Sequence, residues 1–166
     1  MITRKSLSIE AMRNNNQLFK KVEQLAEGVK KDFRSKGLVI PTLEDDGSVR
    51  FDDYSVTRNK QGFYVILNIA RVPVVENINL PQTAIILGNN LAMGKFVDDK
   101  IVNYDKQYGF NSFEEEQYTK VAQSMAKKQD WNRVDTLIIK KNIAHLRAEN
   151  AKNHILTSFE KFRRLR

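Results

Sequence analysis

The feature that most restricts the fold is a pair of apolar stripes, one near each end of the chain. Ile9, Met12, Phe19, Val22, Leu25, Val29 and Phe33 step by three, four or seven residues. At 3.6 residues per turn they share one helical face. Ser6 or Ser8 can cap this helix, Asn14, Asn15 and Asn16 interrupt its stripe, and Gly37 stops it after Lys36. Near the other end, Asp130 caps a helix that runs from Trp131 almost to the C-terminus, with Val134, Ile138, Ile155, Phe159 and Phe162 at helical spacing. Ala144, Ala148 and Ala151 form a small-residue stretch that a second helix can approach closely. Ser112 and Glu115 make an S-x-x-E capping box ahead of a helix reaching about Lys128. The short connection at Gln129–Asp130 then implies a helical hairpin. Stripes this long exceed what a small sheet can cover, so part of each is expected to meet another copy or a partner.

Between the stripes the period changes. YSVTRNKQGFYVILN holds two β-rich runs around the polar turn Arg58–Gly62, and ARVPVVENIN supplies a third. Spacings this short favour antiparallel neighbours, because a parallel crossover needs a dozen or more residues. Pro73 suits an edge or a strand entry, since it has no N–H for a central ladder. The reading is a three-stranded meander, with room for a preceding strand at Val49–Phe51. Asn79 caps the next helix, with Pro81 in its first turn. Ala84, Ile85, Leu87, Leu91 and Ala92 face the sheet, and Ile86 widens the apolar arc. FVDDKIVNYDKQYGFN fits no single period, and Gly109 and Asn111 are expected to end whatever it forms.

The fold class that follows is α+β: a three-stranded antiparallel meander backed by helices, with a long N-terminal helix and a C-terminal helical hairpin. Its parts are the helix 1–37, the sheet with its packed helix 38–110, and the hairpin 111–166, together one compact unit.

Net charge is +8 in 166 residues and is unevenly placed. Residues 1–36 and 130–166 each carry nine Lys/Arg against four acids, while 37–129 has ten against twelve. Basic ends attract polyanions, either nucleic acid or an acidic protein face. The absence of cysteine removes disulfides, thiolate catalysis and cysteine-ligated zinc. MITRKSLSIEAMRNNN has no signal-peptide core and no apolar run is long enough to span a bilayer, so no membrane association is expected. The expected location is intracellular (host cytoplasm) or the virion.

Four motifs invite a chemical reading, and each has a simpler one. LGNNLAMGK resembles a phosphate loop, yet five residues separate Gly88 from Gly94 where four are needed, and Phe96 stands where a hydroxyl belongs. An apolar helix ends there, so Gly94 reads as its stop, with Lys95 near the negative end of the dipole. KQGFYVIL resembles the aromatic strand of RNA-recognition domains, but Phe63 and Tyr64 are adjacent and point to opposite faces. Core packing of Phe63 and Val65, or of Tyr64 and Ile66, is expected instead. His145 and His154 are nine residues apart, which puts them on opposite sides of one helix and prevents joint chelation. The doublets Asp45–Asp46, Asp52–Asp53 and Asp98–Asp99 read as solvated turns. Catalytic, cofactor-binding and metal-binding residues are therefore all expected to be none, and the chain is expected not to be an enzyme.

YSVTRNKQGFYVILN, then VPVVENINLPQTAIILGNNLAMGK, DKQYGFN and the final hairpin are similar to small, mostly uncharacterised proteins of large tailed marine phages. The resemblance covers roughly residues 54–160 and implies a viral protein associated with the particle or its assembly. It carries no catalytic residues. The expected function is a non-enzymatic structural or interaction protein whose long amphipathic helices contact other protein subunits, self or heterologous. Val29, Phe33, Phe159 and Phe162 are the candidate contacts. The alternative is a basic accessory protein that grips nucleic acid non-specifically through Lys161, Arg163, Arg164 and Arg166, with Lys140, Lys141, Arg147 and Lys152 extending the cationic rod.

Overall fold

The computed structural model describes residues 27–163. The stripe from Ile9 to Leu25 and its Ser6 or Ser8 cap lie outside the described residues. Helix α1, Glu27–Ser35, ends just ahead of Gly37 as its sequence dictates. Five strands follow: β1 Thr42–Leu43, β2 Val49–Phe51, β3 Tyr54–Arg58, β4 Tyr64–Leu67 and β5 Pro73–Ile78. Each pairs antiparallel with the next, in the order β1-β2-β3-β4-β5. The sheet thus has five strands rather than three. Of the two added strands, β2 is the one allowed for at Val49–Phe51, whereas β1, two residues long, is too short for a period of two to stand out. Their register comes from a tight turn instead: Asp46 Oδ1 accepts from Ser48 N at 2.9 Å and from Ser48 Oγ at 2.6 Å. Pro73 lies on the edge strand, opposite Leu67.

Register decides which side of the sheet is the core. Val56 faces Val49 on one neighbour and Ile66 on the other, and Tyr64 faces Ile78. With Phe51, two residues from Val49, these side chains share one face, and all are buried. Of the two packing options on β4, Tyr64 and Ile66 form this layer. Val65 is buried on the other face, and Phe63 is half-buried.

Helix α2, Pro81–Ala92, covers the core face, and Thr83 to Asn89 are buried without a break. Gly88 lets it sit close, because a Cβ there would lie 2.9 Å from Phe51 Cδ2. Asn89, fully buried, accepts from Val39 N at 2.6 Å and donates to Gly37 O at 3.1 Å. It ties the α1–β1 connection to the helix. The stop at Gly94 is as the sequence requires: φ is +78°, Gly94 N donates to Leu91 O, and Lys95 N to Asn90 O. The N-terminal cap differs from expectation. Leu80 occupies the cap position, while Asn79 turns to Asp105, with its own N–H donating to Oδ2 at 2.7 Å.

The segment that fitted no period is helical. Helix α3 runs unbroken from Asp99 to Lys127, and α4 from Trp131 to Arg163. Asp98 caps α3 by accepting from Lys100 N at 3.0 Å. Ser112 and Glu115 therefore lie mid-helix and form no capping box, and the 110/111 boundary falls inside α3. Glu115 instead meets His145 of α4 at 3.0 Å. Gly109 persists within the helix because a Cβ there would come within 2.6 Å of the Asn79 side chain. Close approach outweighs its helix penalty of about 1 kcal/mol.

The hairpin turns as expected around Gln129–Asp130. Gln129 takes φ +60°, and Asp130 N donates to Met125 O. A left-handed backbone costs a non-glycine residue roughly 1 kcal/mol. Gln129→Gly is accordingly expected to raise stability by about 0.5–1 kcal/mol, measured as a shifted urea midpoint at unchanged slope.

Candidate protein-interaction surface

At 1.5 Å per residue the 29 residues of α3 and 33 of α4 make rods of roughly 43 and 50 Å. Only one side of each rod is needed inside. Ile101, Asp105, Gly109, Asn111 and Ala122 are buried on α3, and Val134, Ala144, Ala148, Ala151, Ile155, Phe159 and Phe162 on α4. The small residues among them let the two helices run close. Tyr104 stacks on His154 with ring centroids 4.2 Å apart. The antiparallel pairs Tyr104–His154 and Glu115–His145 fix the same helix-to-helix register.

The opposite sides of the rods remain apolar. Phe110, Phe113 and Val121 are exposed on α3, with Phe110 at 63%. Trp131, Ile138, Ile139, Ile143 and Leu146 are exposed on α4, with Leu146 at 67%. Scattered exposed apolar residues are ordinary, but eight large ones on one hairpin are not. Complete burial of each would contribute roughly 1.5–3 kcal/mol. Ile138 accordingly departs from the inner stripe that its spacing predicted.

The four candidate contacts separate into two groups. Val29 is exposed on α1, whereas Phe33 is half-buried against the core. Phe159 and Phe162 stack at 5.3 Å in the core of this chain. They are 6% and 1% exposed, which leaves a partner almost nothing to bury. The outer seam of α4, Ile139, Ile143 and Leu146, is exposed instead. Its signal was present as spacings of four and three, masked by the longer inner stripe.

Among the candidate cations, Lys161 is half-buried, with Nζ 5.6 Å from the Phe162 ring centroid. Burial, with the charge of Lys95 added, pushes its ammonium below the ordinary lysine value. Arg163 ends α4, while its side chain, Arg164 and Arg166 lie outside the described residues. Lys140 and Arg147 are exposed along α4, Lys141 and Lys152 half-buried.

The three acidic doublets are exposed. Among the described residues no three His, Asp or Glu side chains gather where they could hold a metal ion. No helix among them is long and apolar enough to cross a membrane. The two histidines lie on opposite flanks of α4, one against Glu115 and one against Tyr104.

Comparison with known proteins gives no matching family model, no matching curated protein and no matching solved structure.

Proposed function

We propose that the chain is a non-enzymatic structural or interaction protein, a virion-associated or assembly component of a phage, that binds other protein subunits through its helical hairpin. The observation that carries the reading is the apolar outer surface of the hairpin, above all Phe110 and Phe113 on α3. Aromatic anchors flanked by polar residues are what protein interfaces desolvate most productively. The phage setting rests on the sequence resemblance alone.

Phe110→Ser combined with Phe113→Ser tests it. Both rings are exposed, so the unfolding midpoint should move by no more than about 0.5 kcal/mol. Affinity capture by the wild-type chain should recover a defined particle or assembly subunit that the double variant loses. Equal recovery by both chains, or none by either, counts against the reading.

A second reading, a nucleic-acid-binding accessory protein gripping phosphates through the C-terminal helix, draws support from the net charge of +8 and from Lys140 and Arg147 exposed along α4. Its mark is duplex DNA binding that weakens steeply along a salt series. No binding at low salt removes it.

A further inference from the structure

We propose that α4 binds α4 of a second copy of this chain, parallel and in register, as a short two-stranded coiled coil. This adds a named partner to the reading above and uses a face of the hairpin other than the one carrying Phe110 and Phe113.

The outer face of α4 is a heptad seam. Thr136, Ile139, Ile143, Leu146 and Asn150 follow one another at steps of three, four, three and four, and all five are exposed. With Ile143 at position a, Leu146 and Ile139 fall at d. The same frame puts Val134, Ala148 and Ile155, all buried, at f, on the opposite side of the helix. The helix therefore has two apolar faces: one is filled by α3 and α2, and the other is empty within the chain. Branched Ile at a with Leu at d is the combination that favours two parallel strands. Asn150, the next a residue, is the polar a-position side chain that fixes register at a cost in stability.

Charge selects the occupant and its direction. Arg133, Lys140 and Arg147 line one flank of the seam, at e, while Asp135, Asn142 and Glu149 line the other, at g. Asp135, Lys140, Arg147 and Glu149 make no ion pair within the chain among the described residues. In a parallel pair each g residue meets the e residue five positions on in the partner helix. Asp135 then meets Lys140, Asn142 meets Arg147, and Glu149 meets His154. An antiparallel pair would oppose e to e, cation to cation. The seam is complementary to itself in one orientation and repels itself in the other.

The test uses the full-length chain. Its mass by light scattering should double over a micromolar concentration series. Leu146→Glu should weaken self-association about a hundredfold or more, since a charge is then buried at d, with an unchanged circular dichroism spectrum and, at dilutions where the wild-type chain is monomeric, an unchanged unfolding midpoint. Asp135→Lys should also weaken it, and adding Lys140→Asp should restore it, a rescue that does not depend on the core. Orientation is read from Thr136→Cys, because the chain has no cysteine of its own. A short bismaleimide should join two copies of that variant. An antiparallel pair centred on Ile143 would hold the two thiols roughly 20 Å apart along the axis. A monomer at every concentration, a dimer indifferent to Leu146→Glu, absence of the charge-swap rescue, or no joined Thr136→Cys dimer would each overturn the proposal. None of these results touches subunit capture through Phe110 and Phe113, so the two readings fail separately.

Discussion

Asp105→Ala is expected to destabilise the chain by about 3–5 kcal/mol, seen as a loss of several degrees or more in the unfolding midpoint. Asp105 is 3% exposed and holds the start of α2 against α3. Its Oδ2 accepts from Asn79 N at 2.7 Å and from Asn79 Nδ2 at 3.1 Å, and its Oδ1 accepts from Leu80 N at 2.9 Å. Alanine leaves two backbone N–H groups without these acceptors, each costing about 1–3 kcal/mol where water cannot replace them. Asp105→Asn should destabilise less, because one acceptor oxygen remains for the backbone N–H groups.

The pH dependence follows from the carboxyl's own environment. Burial, opposed by the bonds from Asn79 and Leu80, holds it above the ordinary aspartate value. The folded chain then binds that proton more tightly than the unfolded chain does. The contribution is full below the unfolded value and is lost as pH rises through the folded one. The penalty of Asp105→Ala, measured by urea unfolding, should therefore be greater in acid than at neutral pH. A penalty that grows on raising the pH would contradict this assignment.

Phe162→Ala has an expected effect of similar size, about 3–5 kcal/mol, because it empties a site in the core and leaves a cavity that the packed neighbours fill only in part. Phe162 is 1% exposed and stacks on Phe159. The diagnostic part is what should not change. At concentrations where the folded variant is still populated, its mass should equal that of the wild-type chain. Loss of association without loss of stability would return Phe162 to the surface contacts that its sequence position advertised.

The burial of Phe162 shows how far periodicity reaches. The spacing of Ile155, Phe159 and Phe162 identifies a helix and an apolar face correctly, but it contains nothing about what the face meets. Ile139, Ile143 and Leu146 obey the same rule of three and four and are exposed. Two faces of one helix thus look equivalent in sequence, and packing against α3 and α2 separates them. The polar anchors were less legible still. Neither Asn89 nor Asp105 carries a local sign, since the partners of Asn89 lie 50 and 52 residues away and those of Asp105 25 and 26. Gly109 read as a helix terminator because isolated glycine disfavours helix, whereas here the Asn79 side chain occupies the space a Cβ would take.

The sequence by itself determined what depends on near neighbours along the chain. It set the mixed α+β class, the antiparallel order of β3, β4 and β5, the stop at Gly94, the turn at Gln129–Asp130 and the edge position of Pro73. Each follows from backbone preference or side-chain period over a few residues. Only the tertiary structure decided the first short strand, Thr42–Leu43, the continuity of α3, the burial of Phe159 and Phe162, and the exposure of the outer seam. Those depend on contacts between segments distant in the chain, where the free energy of burying a surface is set by what lies opposite it.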